Sequence, residues 1–483
     1  MGTFKLSHYS ILVPISENGD CLITNTCHGG LMVLTAEEVN ILTDKLKKNK
    51  IFNWEYNSPG DSFLDVLIAK KYLVQADMNE IDAYKEKHSR HHDYIRNKRG
   101  DLKLTVLTSG KCNMACSYCY EFAKRNSVMN EETIRHFIPF LEDVVAKSPQ
   151  IKEWTHFHNT WYGGEPLLGL DAIVKLTPMF KKFSRKYGIK YTSSMITNGL
   201  LLDRDTWKIL QENDVKSVQI TLDGSKEVHD RNRPLNNAQG KNYERILENL
   251  THVPEGMRVV IRINVDKVVA ASVPSLMDDL EALEIWPQKQ YMVNLDFAHL
   301  RTYEENDEPN LDTRIPKTEW VECLHHLRRL KVERYNRWAR KSGAKQGKLY
   351  FHASDPTFSD CSAVVSPYSF VVDSEGYITK CWELATEENR IIQHISESYD
   401  LTKYEKYLAH ARYNSKRSCE DCKYVPVCED SQCIARPQKC LRNSKEFENE
   451  LKIQYLYYLK NPDNVSFKPL REIRKEMIER WGV

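Results

Sequence analysis

Between Asp101 and Leu300 the chain switches repeatedly between two hydrophobic rhythms. An alternation of about two residues marks strands, and a longer period of about 3.6 marks amphipathic helices. Leu102–Thr108 alternates apolar and β-favouring residues and predicts a strand. An amphipathic segment from Glu131 to Ala146, a strand ahead of Tyr162 and a lysine-rich helix near Leu170–Tyr187 follow. Next come a strand Lys190–Thr197, a helix Asp203–Asn213, a strand Ser217–Leu222 and a helix near Tyr243–Leu250. A strand Arg258–Val265, a helix Val273–Leu283 and a strand Tyr291–Phe297 complete the set. Six such units predict a partial β/α barrel, open on one side, with its chemistry at the carboxyl ends of the strands.

Residues 1 to about 85 lie outside that alternation. Tyr9–Pro14 and Cys21–Thr24 predict short strands joined by a turn at Asn18-Gly19. Thr35-Ala-Glu-Glu38 has the spacing of a capping box for a helix reaching Leu46, followed by a helix near Ser62–Lys71 and a short strand Tyr72–Val74. Ala83–Gly100, which contains His88, His91 and His92, is mostly charged and polar and is expected to be a solvated helix or linker, not a metal site. The acidic, turn-rich stretch Thr302–Pro316 predicts a loop, Lys317–Arg340 a basic helix, and the segment after Asn443 a charged helical tail.

Composition narrows the function classes. With 69 basic and 67 acidic residues in 483, the formal charge of +2 gives no bulk signal for nucleic acid. No apolar run approaches the ~18 residues of a membrane span. Met1–Ser7 shows neither a signal-peptide core nor a myristoylation pattern. Thirteen cysteines without a secretion signal predict a reducing compartment in which clustered thiols bind metal, and so a cytoplasmic protein.

The loop after the first barrel strand, Lys111-Cys-Asn-Met-Ala-Cys-Ser-Tyr-Cys-Tyr120, sets Cys112, Cys116 and Cys119 in a C-x3-C-x2-C spacing. A structural zinc site takes four protein ligands, and a partial zinc or disulfide arrangement is the competing reading. A cubane held by three cysteines instead keeps one iron open. The spacing, with Tyr118 before the third cysteine, resembles the signature loop of radical S-adenosylmethionine (SAM) enzymes, whose open iron chelates the amino and carboxylate groups of SAM. Trp161-Tyr-Gly-Gly-Glu-Pro166 resembles that family's Gly-Gly-Glu-Pro element. The resemblance implies that Gly163 and Gly164 let the backbone approach SAM, that Glu165, ahead of Pro166, accepts from its ammonium, and that Tyr118 packs near the adenine. Thr197-Asn198-Gly199, Thr221-Leu-Asp223-Gly224 and His229-Asp-Arg-Asn-Arg233-Pro234 look like segments lining the SAM pocket, and Asn264 is implied to face it. Asp-Gly at a strand end is also a common turn.

The C-terminal third holds seven further thiols: Cys361, Cys381 in a Gly376-x4-Cys element, Cys419-x2-Cys422-x5-Cys428-x4-Cys433, and Cys440. The close pairs alone also fit a zinc ribbon. The array resembles the SPASM domain that carries auxiliary clusters in radical SAM enzymes. Family ligation implies an outer cluster on Cys419, Cys422, Cys428 and Cys440, and an inner one on Cys361, Cys381 and Cys433 with a vacant iron. The last spacing is x4 where x3 is usual, and the extra cysteine some relatives carry is absent near Ala353, Ser354 and Asp355. The N-terminal pattern looks like the small winged module with which peptide maturases hold a leader peptide as an added strand.

The expected architecture is therefore α/β: a winged-helix-like peptide-binding module (1–85), a charged linker (86–100), a partial (β/α)6 radical SAM barrel (101–345), a cysteine-rich SPASM domain (346–445) and a helical tail (446–483). The resemblance implies SAM and three 4Fe–4S clusters as cofactors, a precursor peptide with leader as substrate, and a flavodoxin or ferredoxin-type reductant. Neither nucleic acid nor membrane is expected as a partner. The favoured reading is a maturase that forms a cysteine thioether in a ribosomally made peptide. The alternatives are an anaerobic sulfatase maturase, disfavoured by Trp382 where that group has an Asp base after Cys381; a C–C crosslinking or epimerising enzyme; and a non-enzymatic iron–sulfur carrier or zinc scaffold.

Overall fold

The computed structural model describes residues 1–47, 50–55, 62–121, 125–236, 242–289, 292–300, 313–351, 356, 358, 360–408, 419–428, 433, 445–460 and 465–467. It divides into two compact units, one of residues 1–93, 345–361 and 410–483, the other of residues 94–344 and 362–409.

The first unit opens with β1 (Gly2–Leu6), β2 (Ser10–Pro14), β3 (Cys21–Asn25) and β4 (Leu31–Leu34), then α1 (Ala36–Leu46), β5 (Ile51–Trp54), α2 (Phe63–Ala69), β6 (Leu73–Gln75) and α3 (Glu80–Asn97). The strands form two antiparallel sheets, β5-β1-β6 and β2-β3-β4. Thr35 caps α1 through the reciprocal bonds of a capping box with Glu38, which satisfies helix-end donors that would otherwise lack partners. Every residue of β3 is buried. Ile23 packs with Leu34, Leu42, Leu64 and Leu67 from the sheet and helices, whereas Leu22 packs with Tyr9, Ile11, Val13 and Tyr84. The second cluster also takes in Cys419, Cys422, Tyr424 and Val425, together with Phe447 and Leu451 of the C-terminal segment. Thus the end of the chain completes a core that the first strands begin.

The charged run before the barrel is α3, and it is not solvated throughout: Tyr84, His88 and His92 recur at helical spacing and all are buried.

In the second unit β7 (Arg99–Ser109), α4 (Glu131–Ala146), β8 (Glu153–Gly163), α5 (Leu170–Tyr187), β9 (Lys190–Thr197), α6 (Arg204–Glu212) and β10 (Val215–Thr221) follow in order. Then come α7 (Lys226–Asn232), α8 (Asn242–Thr251), β11 (Arg258–Val265), α9 (Lys267–Ala282), β12 (Val293–His299) and α10 (Lys317–Ser342). Strands β7 to β12 pair in parallel in sequence order, as the alternation of periods predicts. After β13 (Leu349–Phe351), in the first unit, and the short α11 (Ser362–Val365), β14 (Ser369–Val372) joins β7 in parallel and continues the sheet into β15 (Tyr377–Thr379) and β16 (Gln393–His394). Among the described residues the sheet therefore has nine strands, three more than the barrel repeat alone predicts.

The two faces of the parallel strands differ in chemistry. Phe157 and Trp161 of β8, Met195 of β9, Val218 and Ile220 of β10, and Val259, Ile261 and Ile263 of β11 are buried in the main core with the helices. Alternate positions, His158, Thr160 and Tyr162, Thr192 and Ser194, Gln219, Arg262 and Asn264, are half-buried, and the register sets them side by side. His158 Nδ1 lies 2.9 Å from Thr192 Oγ1, and Arg262 Nε donates to Asn264 at 3.2 Å. A closed barrel fills its interior with branched apolar side chains; this one lines it with hydrogen-bonding groups.

Phe140 of α4 meets Phe370 of β14 and Tyr399 edge-on, at centroid separations of 5.2 and 6.1 Å, and so ties the added strands to the barrel. Phe140→Ala should cost about 3–5 kcal/mol, read as a lower denaturation midpoint of the whole chain by near-UV circular dichroism.

Candidate functional site

The cysteine loop leaves β7 at Ser109 and is held by backbone on two sides. Ala115 N donates to Pro234 O at 2.9 Å, Ser117 N to Asn232 O at 3.0 Å, and Asn236 N to Asn113 O at 2.9 Å, so the segment after α7 runs beside the loop like a short strand. On the other side Gly164 N donates to Ser109 O and Glu165 N to Lys111 O, both at 2.9 Å. A Cβ on Gly163 would lie 2.2 Å from Ser109 O, and one on Gly164 2.5 Å from Lys111 O, so both glycines are required for this backbone-to-backbone contact. Gly163 also has φ +133°, which side chains disfavour.

Glu165 is fully buried at the end of β8. Its Oε1 accepts from Thr197 Oγ1 at 2.6 Å and Leu167 N at 3.1 Å, and its Oε2 from Asn198 N at 2.8 Å. Burial raises its pKa, and these three donors and Arg233 pull it back. A carboxylate offers about four acceptor positions, which leaves room for one more donor on Oε2. Asn198 in turn donates through Nδ2 to Asn113 of the loop at 2.6 Å.

A second network joins Tyr118, Asp223, Arg233 and Asn264. Tyr118 donates its hydroxyl to Asp223 and accepts from Arg233 Nη1 at 2.7 Å and Asn264 Nδ2 at 3.2 Å. Asp223 Oδ1 accepts from Asn264 N at 2.9 Å. Burial works against the Arg233 charge, but Cys116, Tyr118 and Asp223 outweigh it and hold the guanidinium protonated. For Asp223 burial raises the pKa, against Arg233, Tyr118 and Asn264. Burial lifts the Cys116 thiol to about 11, with Arg233 acting the other way and the neighbouring Cys119 and Cys112 adding to the rise. A metal that displaces the proton removes this cost.

Thr197, Asn198, Asp223, Arg233 and Asn264 thus gather with the loop and Gly163–Pro166 at the carboxyl ends of β7 to β11. Sequence patterning gave no individual role to three contributors. Asn113 has the contact just described, Asn242 Nδ2 donates to Arg233 O at 2.6 Å, and the buried His229 accepts the Asp223 N–H on Nδ1 at 3.1 Å. The polar inner face was legible in the i, i+2 alternation of β8 and β11, but only pairing shows that these positions adjoin.

The donor set fits an iron–sulfur cubane better than a single ion. Three cysteines on one loop are one short of the four protein ligands of a closed zinc site, and they match a cubane that keeps one iron open. Beside them Glu165 keeps an acceptor position and Tyr162 marks the edge of the polar face.

The other cysteines fall in both units. Cys381 follows β15 in the second, and Trp382 beside it is 44% exposed and faces the Tyr162 ring at 6.3 Å. In the first unit, Cys419, Cys422 and Cys428 are buried on successive tight turns, Cys422 N donating to Cys419 O at 3.1 Å and Cys428 N to Val425 O at 3.3 Å. Cys361 is exposed and Cys433 half-buried, while Cys440 and the stretch at Ala353–Asp355 lie outside the described residues.

Residues 106–278, from within β7 into α9, match the Radical SAM superfamily. The chain contains a radical SAM domain. Among curated relatives, the radical SAM cyclopropyl synthase TigE of Paramaledivibacter caminithermalis is 24% identical over 44% of this chain and 48% of its own length. A cysteine-type anaerobic sulfatase-maturating enzyme of Clostridium perfringens is 24% identical over 73% of this chain and 92% of its own. The chain spans about half the length or less of the first curated relatives it matches. The solved structure of native anSMEcpe with bound AdoMet shares the fold at a TM-score of 0.51 and 17% identity, over 75% of this chain and 100% of that one. The radical SAM core is thus shared with maturases, and among the described residues no helix is long and apolar enough to cross a membrane.

Burial and Arg233 push the His229 pKa well below 6.5. A group depressed in the folded state stabilises fully above its unfolded value and loses that contribution as pH falls below it. Stability should therefore drop below pH 6.5, by up to about 1.4 kcal/mol per pH unit from this one proton. His229→Gln should flatten that part of the curve, measured as denaturation midpoint against pH.

Proposed function

We propose that this radical SAM enzyme matures a ribosomally made precursor peptide by linking a cysteine sulfur to a peptide carbon. The observation that carries the reading is Trp382. It follows Cys381, where sulfatase maturases typically have a proton-accepting Asp, and its indole has no basic lone pair to take a proton. With Tyr162, and Tyr120 bonded to the Tyr162 hydroxyl, it forms an aromatic ledge next to Gly163-Gly164-Glu165, suited to hold a peptide side chain. A solved anSMEcpe structure contains AdoMet and the Cp18Cys peptide, which supports a peptide as the substrate class. The sheet edges of β4, β5 and β6 offer places where a leader strand can add.

In this reading Cys112, Cys116 and Cys119 hold a 4Fe–4S cluster. When bound, that cluster and SAM would supply one-electron reduction and hydrogen abstraction from the substrate. The chain's own residues position the reactants. Glu165, fixed by Thr197, Asn198 and Leu167, would accept from the methionyl ammonium. Gly163 and Gly164 let the loop close, Pro166 starts the turn behind it, and Asp223 with Arg233 holds Tyr118 in place beside the cysteines. Cys419, Cys422, Cys428 and Cys440 would hold an outer auxiliary cluster. An external flavodoxin or ferredoxin-type protein would deliver the electron.

A sulfatase-type activity is the second reading, favoured by the match over the whole length of the anSMEcpe chain. Anaerobic co-expression with a cysteine-containing precursor peptide separates the two. Thioether formation should lower the peptide mass by one hydrogen pair per bond and leave the cysteines resistant to alkylation. An unchanged precursor, with conversion of a sulfatase-type peptide to an aldehyde, would move the assignment. Cys116→Ala should abolish SAM cleavage. Trp382→Ala should keep uncoupled cleavage and lower crosslinked product at least about tenfold, both followed by liquid chromatography of 5′-deoxyadenosine and peptide.

A further inference from the structure

Away from the radical SAM core, α3 carries His88 and His92 one turn apart, so both imidazoles leave the same face of the helix. They are 3% and 6% exposed, and each brings Nε2 to the same atom, Oδ2 of Asp360, at 3.1 and 3.2 Å. The Asp360 side chain is completely covered. His88 makes a hydrogen bond to that oxygen, whereas His92 Nε2, at almost the same distance, makes none. The ring centroids lie 4.1 Å apart, and Tyr84 stacks on His88 from the preceding turn with Phe358 against it.

A buried ring nitrogen that stands 3.2 Å from an oxygen without hydrogen-bonding it has given up water without replacing that bond. The arrangement makes sense with a cation between the groups. Metal–ligand bonds of about 2.0–2.1 Å in a tetrahedron put neighbouring ligand atoms about 3.3 Å apart, close to the two separations seen. Among the described residues, this is the group of His, Cys, Asp and Glu ligand atoms that lie within 4.8 Å of one another. Two imidazoles and one carboxylate suit zinc and similar divalent ions, not the thiolate-held clusters of the cysteine arrays.

We propose that His88, His92 and Asp360 hold one divalent transition-metal ion of the zinc class, with a fourth position for water. The ion would fasten α3, which leads directly into β7, to the residue preceding Cys361. Its role is a structural clamp between the N-terminal helix and the start of the cysteine-rich segment.

The test uses the full chain, purified anaerobically with its iron and sulfide in place. It is incubated with Zn2+ or Co2+, passed through gel filtration, and its metals are counted by mass spectrometry beside acid-labile sulfide. The wild type should retain about one ion per chain and melt at a higher temperature when loaded. His91→Gln, on the same helix with its ring outside the group, should behave likewise. His92→Gln and Asp360→Asn should bind at least about tenfold more weakly, lose the thermal shift and keep wild-type iron and sulfide. Retention of the ion by both variants, no bound ion in the wild type, or iron and sulfide falling together with it would overturn the site. Because the readout is metal content and melting, it is independent of whether the peptide chemistry above is correct.

Discussion

The site depends on backbone-to-backbone contact around one loop. The thiols of the cysteine loop stand on a segment with no regular secondary structure, and such a segment has too much conformational entropy to hold them in place alone. Here the loop is bonded on one side to the segment after α7 and on the other to the Gly163-Gly164-Glu165 turn. Because the approach on the second side is closer than a Cβ permits, the glycines act as structural parts of the loop's socket. The resemblance assigns them contact with SAM; the structure adds that the loop could not close without them.

Buried charge enters the same region and is compensated locally. Arg233, Asp223 and Tyr118 form one network in which the phenol stands between cation and anion, and Asn264 bonds both the phenol and the carboxylate. Removing one member of such a network leaves an uncompensated charge, which costs far more than an exposed ion pair contributes. The network lies beside the half-buried polar face of β8 to β11, so the barrel's open interior is lined with hydrogen-bonding groups while its other face carries the apolar core.

The first unit follows a different logic. Its two sheets are small, and the β2-β3-β4 sheet is covered by residues more than three hundred positions later in the chain. Tyr9, Ile11 and Leu22 share a core with the turn bearing Cys419 and Cys422. The same unit buries His88 and His92, which a linear view of the charged stretch counts as solvated, together with Asp360.

Periodicity along the chain was enough for the order of strands and helices from β7 to β12, because each element's hydrophobic rhythm reports the local face it must bury. The cysteine spacing, Gly-Gly-Glu-Pro, and the Thr-Asn-Gly and Asp-Gly strand ends were likewise legible, since their chemistry sits in consecutive residues. Tertiary structure alone decided the rest. The Arg233 and Asp223 network, the role of His229, the attachment of β14 to β7 and the meeting of α3 with Asp360 all join residues far apart in sequence. The physical reason is that a side chain's burial and partners depend on which distant surface covers it, and a local pattern carries no record of that surface. In α3 the same helical spacing of His88 and His92 is compatible with a solvated helix or a buried ligand pair, and only the arrival of Asp360 distinguishes them.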